Sequence, residues 1–265
     1  MTLGATKIPY IDTAWNPAAG CRRQCSYCYV RRYAHRLACK RCRDPQDIHL
    51  HEERLGDPAK ARTPRVIGVC FNCDLFDPKR PHGDIASVLA ACEAAPWHQY
   101  VFPTKRPERA AEWCGRRIIQ DGYPRLNGHD NWWVGVTAED QQAFDARAPV
   151  LLGKGIGHLW LSLEPLHGDI YLARDLGLKN YDWVAVGCQS SYAFGALEGD
   201  IIRAWMIDVA DQCREGKVPV FVKQVPIDGK CSRDPAEWPP ELRVRELPWK
   251  LREKPWPHVL RTGQT

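Results

Sequence analysis

The chain has 265 residues, 44% apolar and 26% charged: enough to bury one sizeable core, and too apolar for a disordered tract. Its net charge of +5 is uneven, with 13 Lys/Arg against 6 Asp/Glu in residues 1–65 and 24 against 26 in the rest. No basic stretch leads into an apolar run at the start, and no run approaches the roughly 18 residues of a membrane span. The chain therefore reads as cytoplasmic, without an export signal or membrane segment.

A first strand is expected near Tyr10–Trp15, followed by a cysteine-rich loop and a helix over Tyr29–Cys42. From residue 65 onward, short apolar runs alternate with helical patterns. The runs 65–71, 99–104, 131–137, 158–165, 182–189 and 218–224 are almost continuously apolar and end in polar residues, as strands buried on both faces do. Helices are expected at 83–95, 107–120, 139–152 and 199–216; the second has Pro107 in its first turn and Gly122 just beyond its end. Strands and helices alternating at this spacing make right-handed β-α-β units around a parallel sheet. The expected fold is α/β, a partial or nearly closed parallel β/α (TIM-like) barrel over residues 1–225, with a doubly wound open sheet as the alternative. Residues 226–265 are rich in Pro, Trp and Arg and read as an irregular C-terminal tail packed on the barrel. There Trp238, Trp249 and Trp256 stand between arginines, placed either to pack on the barrel or to stack on bases.

Ligands of parallel β/α folds bind at the carboxyl ends of the strands. Those ends carry Cys70–Asp74, Thr104–Arg106, Thr137–Asp140, Glu164, Gln189–Ser190 and Lys223–Gln224, a polar or charged group after nearly every strand. Twelve cysteines in a chain with no export signal point away from disulfides and towards metal, cluster or redox chemistry. Three of them, Cys21, Cys25 and Cys28, are spaced C-x3-C-x2-C just after the first strand. Three thiolates on one tight loop suit three irons of a cubane 4Fe–4S cluster, and no fourth cysteine follows at ferredoxin spacing, so one iron would stay open. Zinc, which prefers paired knuckles, and free redox thiols are the other readings.

With an aromatic, Tyr27, directly before its third cysteine, this loop resembles the signature of radical S-adenosylmethionine (SAM) enzymes. The stretches 13–34, 49–55, 69–77, 104–109, 133–141, 161–170, 182–187 and 221–224 are further similar, in the same order, to a phage-associated radical SAM family named after phage gene products 37 and 68. The resemblance implies a radical SAM barrel with the cluster and SAM at its carboxyl end. Cys21, Cys25 and Cys28 would be the metal ligands, and an electron donor such as flavodoxin or ferredoxin would reduce the cluster. One-electron cleavage of SAM would give a 5′-deoxyadenosyl radical that abstracts a substrate hydrogen. Tyr27, Asn72, Asp74, Lys105 and Glu164 are the expected cofactor-binding residues, although the usual Gly-Gly-Glu is absent at 72–74. Glu164, Lys223 and Cys188 are the expected catalytic residues, Cys188 as a hydrogen-atom donor or else as a small core residue.

Among the other cysteines three readings stand open: Cys39, Cys42, Cys70 and Cys73 as a four-thiolate zinc or auxiliary-cluster site, Cys39 and Cys42 with His49 and His51 as a local Cys2His2 zinc site, or free thiols with no additional metal. The basic residues Arg22, Arg23, Arg31, Arg32, Arg36, Lys40, Arg41 and Arg43 crowd the cysteine loop and suit a polyanion or a solvated surface. Three functions follow. The first is a radical SAM enzyme that modifies or isomerises a DNA base such as a hypermodified thymidine, or reverses a DNA photoproduct. The second is radical SAM chemistry on a peptide or small metabolite. The third is a zinc protein that binds nucleic acid. Oligomeric state is not legible in the sequence.

Overall fold

In this computed structural model, which describes residues 3–115, 122–172, 177–190 and 193–249, the expected strands form one ladder. In chain order the elements are β1 (Thr13–Trp15), β2 (Ala18–Ala19), α1 (Tyr29–Tyr33), β3 (His49–Leu50), α2 (Asp57–Lys60), β4 (Val66–Val69) and α3 (His82–Glu93). Next come β5 (Gln99–Thr104), α4 (Pro107–Glu112), β6 (Trp132–Thr137), α5 (Gln141–Arg147) and β7 (His158–Leu163). Then follow β8 (Trp183–Gly187), α6 (Ala196–Gly216), β9 (Val220–Ile227) and β10 (Lys230–Ser232). Strands β1-β4-β5-β6-β7-β8-β9 pair in that order, every pair parallel, and β10 adds antiparallel to β9. Since β1 and β10 end the ladder without pairing to each other, the sheet is a partial β/α barrel of the expected class.

Two separate cores lie on the two faces of this sheet, because alternate residues of a strand point to opposite sides. Ile67, Phe102, Val134, Leu161, Val184 and Val222 face the helices, where they meet Val88, Leu89, Val209 and Cys213. Val66, Val101, Trp133, Trp160, Trp183 and Phe221 fill the inner side together with Tyr10. The inner rings meet edge-on or tilted, with Trp160–Trp183 centroids 5.0 Å and Tyr10–Trp183 centroids 5.1 Å apart, the geometry aromatic quadrupoles favour. Along the same face, towards the carboxyl ends, size falls away: Trp133 is followed by Gly135 and Thr137, Trp160 by Ser162, and Trp183 by Ala185 and Gly187. The inside of the barrel thus has an aromatic floor at its amino end and small side chains beneath its carboxyl mouth.

Gly135 is dictated by that floor, since a Cβ there would lie 2.2 Å from the Trp160 ring. Gly135→Ala is expected to destabilise by about 1–3 kcal/mol, the range of overpacked cores. Gly83→Ala, at the open start of α3 with nothing near its Cβ position, should be neutral or slightly stabilising. Urea midpoints of the two variants measure the difference.

Several expectations change. The helix expected over Tyr29–Cys42 stops at Tyr33 and continues only as single 3-10 turns at Ala34–Arg36 and Arg41–Arg43. Leu37 turns extended and its carbonyl accepts from Arg43 Nε at 3.0 Å, which folds the chain back towards His49. The helix expected at 107–120 is seen as Pro107–Glu112; residues 116–121 lie outside the described set. Residues 139–152 split into α5 and a 3-10 turn, Ala148–Leu151, where Pro149 cannot donate to the helix ladder. The boundary expected at 225/226 falls inside β9, and as far as Trp249 the following segment is built into the barrel rather than merely laid on it. Its chain returns through β10, and Phe221 bridges Arg245. Trp238 is buried, and Trp249 packs on Trp133 and Trp183 at 5.1 and 4.9 Å between centroids. Both are therefore packing residues and unavailable to bases; Trp256 lies outside the described residues.

Candidate active site

After β1 the chain pairs β2 with β3 and then turns sharply at Gly20, whose φ is +81° and whose missing Cβ would sit 2.3 Å from the Asp47 carbonyl oxygen. Only glycine combines that backbone with that approach. The cysteine loop that follows is pinned on both sides. Buried Arg80 donates to the carbonyls of Ala19 and Gly20, each at 2.9 Å, and to that of His49 at 3.3 Å. Asp77, fully buried, accepts the Arg22 backbone N–H at 2.8 Å, and the Cys21 N–H donates to Pro45 O at 2.8 Å. Arg23 reaches the Lys105 carbonyl at 3.0 Å, fastening the loop over the end of β5.

Cys21, Cys25 and Cys28 are half-buried and unbonded to one another. Burial pushes the Cys21 thiol up to about 12, so a bound cation is what would hold that sulfur as thiolate near neutral pH. Tyr27, between the second and third cysteines, extends across the barrel mouth. Its hydroxyl accepts from Lys105 Nζ at 2.8 Å, and its ring meets His167, beyond β7, edge-on at 4.8 Å. The three thiols thus lie beside the carboxyl ends of the strands, where the sequence places them.

The mouth beneath the loop is ringed by charge. Lys105 and Arg147 flank Glu139, with Lys105 Nζ 3.3 Å from Oε2 and Arg147 donating at 2.8 and 3.2 Å. Burial alone would raise the Glu139 carboxyl, but the hydrogen bond from Arg147 and the two cationic charges outweigh it and hold the group down at about 2. Burial likewise lowers the Lys105 ammonium. Across the mouth Glu164, at the end of β7 before a cis bond to Pro165, pairs with Lys223 of β9. The second oxygen, Glu164 Oε1, is buried with no hydrogen-bond partner. A buried carboxylate oxygen in that state leaves one acceptor for a ligand's donor.

Asn72 accepts from the Tyr29 hydroxyl at 3.1 Å, and its backbone N–H donates to the Asn16 side chain at 3.0 Å. Asp74 is buried, its oxygens taken by the Thr104 hydroxyl and the backbone N–H groups of Lys105 and Phe76 at 2.8, 2.8 and 3.0 Å. It therefore anchors the ends of β4 and β5. Cys188, buried just past β8, pairs with Cys231 of β10; that contact and burial push its thiol well up. Its carbonyl accepts from Gln224, which also holds Ser190.

Sequence reasoning missed Glu139, Arg147, Tyr10 and His167 as individual site residues. Glu139 carried a signal: two residues past Thr137, on the inward-facing parity of β6, it had to aim at the mouth. Arg147 had none, being one basic residue among many on a helix.

The four-thiolate grouping of Cys39, Cys42, Cys70 and Cys73 does not form. Cys73 Sγ turns instead to the Ala18 carbonyl at 3.3 Å and to Arg80 at 3.6 Å, while Cys39 and Cys42 converge on His49 and His51. The reason is topological: Cys70 and Cys73 close β4 under the cysteine loop, whereas Cys39 and Cys42 lie on the returning segment outside it.

The fold and this mouth define a partial parallel β/α barrel with a three-thiol loop at the carboxyl ends of its strands. The chain belongs to the family described as "Protein of unknown function (DUF5131)", whose model matches residues 5–236. No curated protein matches it in sequence. Similar solved structures include spore photoproduct lyase complexed with dinucleoside spore photoproduct, at 13% identity and TM-score 0.48. A mutant of that lyase with bound AdoMet and dinucleoside spore photoproduct gives 14% and 0.46. In both cases 77% of this chain is covered, and the chain spans 63% of the other's length. Among the described residues no helix is long and apolar enough to cross a membrane.

Proposed function

We propose that this chain is a radical SAM enzyme acting on a base of DNA, and the observation that carries the reading is the C-x3-C-x2-C loop beside the carboxyl mouth of a parallel barrel. The donor set fits the group: three thiols with no fourth on the loop suit a cubane that keeps one iron open, and Glu164 Oε1 is a buried acceptor awaiting a donor. Cys21, Cys25 and Cys28 would hold the cluster. With SAM bound, a reduced 4Fe–4S cluster supplies a primary carbon radical able to remove a hydrogen atom from an unactivated C–H bond.

The chain's own residues do the rest. Lys105 fixes Tyr27 beside the cysteines, and Glu139 with Arg147 fixes Lys105. Lys223 pairs with Glu164 and holds its side chain at the mouth, so that Oε1 can accept from a hydroxyl or amine of SAM or of the substrate. The aromatic floor of Tyr10, Trp160, Trp183 and Phe221 closes the barrel below the mouth and excludes water. Cys188, kept as a thiol by Cys231 and burial, would donate a hydrogen atom to a product radical and itself be left as a thiyl radical beside Cys231.

Exposed Arg22 lies on the cysteine loop and exposed Arg31, Arg36, Lys40, Arg41 and Arg43 follow it in the chain, a local excess of cationic charge suited to a polyanion. A duplex base would be flipped out to reach the mouth. Modification or isomerisation of a thymidine-derived base, of the kind phages elaborate, is the reaction we favour over photoproduct reversal. A flavodoxin- or ferredoxin-type donor would deliver the electron.

The test is anaerobic reconstitution of the full chain, reduction with SAM present, and assay of 5′-deoxyadenosine against a Cys21/Cys25/Cys28→Ala triple variant. Cleavage above that variant supports the reading; none, or zinc with no iron and sulfide, defeats it. Nucleoside mass spectrometry of phage DNA incubated with the reduced enzyme then tests the substrate. Turnover of peptides or metabolites with DNA untouched would replace it.

A further inference from the structure

We propose that Cys39, Cys42, His49 and His51 form a mononuclear zinc site that holds the segment 37–51 as a brace behind the cysteine loop. The four ligand atoms lie within 4.8 Å of one another. Cys42 Sγ is 3.4 Å from His49 Nε2 and 3.2 Å from His51 Nε2, and Cys39 Sγ is 3.8 Å from His49 Nε2. Zinc–sulfur and zinc–nitrogen bonds of about 2.3 and 2.0–2.1 Å at tetrahedral angles put sulfur and nitrogen ligands about 3.5–3.6 Å apart. The observed separations bracket that edge.

Both imidazoles are oriented for the task. His49 directs Nδ1 at the Asp47 carbonyl at 2.8 Å, and His51 directs Nδ1 at Glu53 Oε1 at 3.1 Å. With the Nδ1 protons engaged there, the Nε2 lone pairs point into the cluster, the arrangement that outer-shell partners impose on metal-binding histidines. His49 and His51 share a side of the chain because they are two residues apart at β3, and Leu50 between them packs the other way, on the main core. On the cysteine side, the backbone N–H groups of Cys42 and Arg41 point at the Cys39 sulfur, as in a C-x2-C knuckle. The spacing is C-x2-C-x6-H-x-H, all within 13 residues of chain.

Two thiolates and two neutral imidazoles neutralise a divalent ion, and its binding releases two thiol protons to solvent. A mixed sulfur–nitrogen tetrahedron selects zinc among the common divalent ions. A two-iron cluster with paired Cys and His ligands is excluded, because its ligands divide between two metals whereas these four converge on one point.

What the metal would hold is visible in the contacts of the braced segment. Pro45 O accepts from the Cys21 N–H, the Asp47 carbonyl backs Gly20, Gln46 bonds Gln24, and Arg80 ties His49 O to Gly20 O. Apart from the short β3, the segment has only a 3-10 turn of its own, too little regular structure to keep this shape unaided. Zinc binding does not depend on the cluster, since none of its ligands belongs to the cysteine loop.

Metal analysis of the full chain tests it. One zinc per chain is expected in the wild type and in the Cys21/Cys25/Cys28→Ala variant, and its loss in Cys39→Ser/Cys42→Ser and in His51→Ala. The Cys39→Ser/Cys42→Ser variant should also lose most of its reconstituted iron. Zinc absent from the wild type, or lost from the Cys21/Cys25/Cys28→Ala variant, overturns the site. Iron retained in full without zinc overturns the bracing role. Since the variants can misfold, Co(II) exchange into the wild type gives a second readout. Intense tetrahedral ligand-field bands with thiolate charge transfer are expected, and the weak bands of a six-coordinate ion would count against the site. A chain that binds zinc here but never cleaves SAM would leave this site standing while removing the proposed function.

Discussion

Replacing any one of Cys21, Cys25 or Cys28 by alanine is expected to abolish iron binding on reconstitution and to reduce 5′-deoxyadenosine formation to the background of the assay. Each of the three thiols would carry one iron, and the loop offers no fourth cysteine to take over. The loss should not come from unfolding, because Arg80, Asp77 and Pro45 hold the loop through its backbone and leave the thiols out of the packing. Cys92 and Cys213 give the contrast. Both are fully buried against the core, so their alanine variants should lower stability by about 1 kcal/mol while retaining iron and activity. Iron retained in Cys25→Ala, by metal analysis and the visible spectrum, would remove the cluster from this loop.

Glu164 and Lys223 should respond unequally. Lys223→Met leaves a largely buried carboxylate without its cation, with only the Tyr10 hydroxyl beside it, and losing one member of a buried pair costs about 3–5 kcal/mol. Glu164→Gln keeps a hydrogen-bonding group of the same shape opposite Lys223 and should be milder. If Glu164 Oε1 accepts from SAM, Glu164→Gln still forfeits a charged hydrogen bond of about 1.5–3 kcal/mol. That corresponds to SAM binding weaker by about 10- to 150-fold, with iron content unchanged. Urea titration measures the first effect and equilibrium binding of SAM the second. Unaltered SAM affinity in a folded, iron-loaded Glu164→Gln protein would leave Oε1 for the substrate alone. Unaltered stability in Lys223→Met would show that the pair is solvated rather than buried.

The parallel barrel was legible because its strands are buried on both faces and therefore read as apolar runs, a pattern that survives without neighbours. The cysteine loop was legible because its chemistry is local: three ligands within eight residues need no distant partner to be recognised. The segment from Tyr29 to His51 was not. Its helical composition would predict a helix through Cys42, yet the chain abandons that helix at Tyr33 and bends so that Cys39 and Cys42 meet His49 and His51. Satisfying four ligand groups and the carbonyls facing Arg80 outweighs the few tenths of a kcal/mol per residue that propensity offers. The same limit hid the end of the barrel. Trp238 and Trp249 among arginines look alike whether they stack on bases or on protein, and only the position of β9 and β10 puts them in the core.

Alone, then, the sequence determined the barrel class and the three cysteines at its mouth, features set by periodicity and by near-neighbour spacing. Tertiary structure decided which distant side chains meet: Lys105 with Tyr27 and Glu139, Glu164 with Lys223, Cys188 with Cys231. It also decided that Cys39 and Cys42 take histidines rather than Cys70 and Cys73 as partners. The physical reason is that a strand dictates which face a side chain occupies, whereas which side chains share a face depends on strand order and on where the loops return.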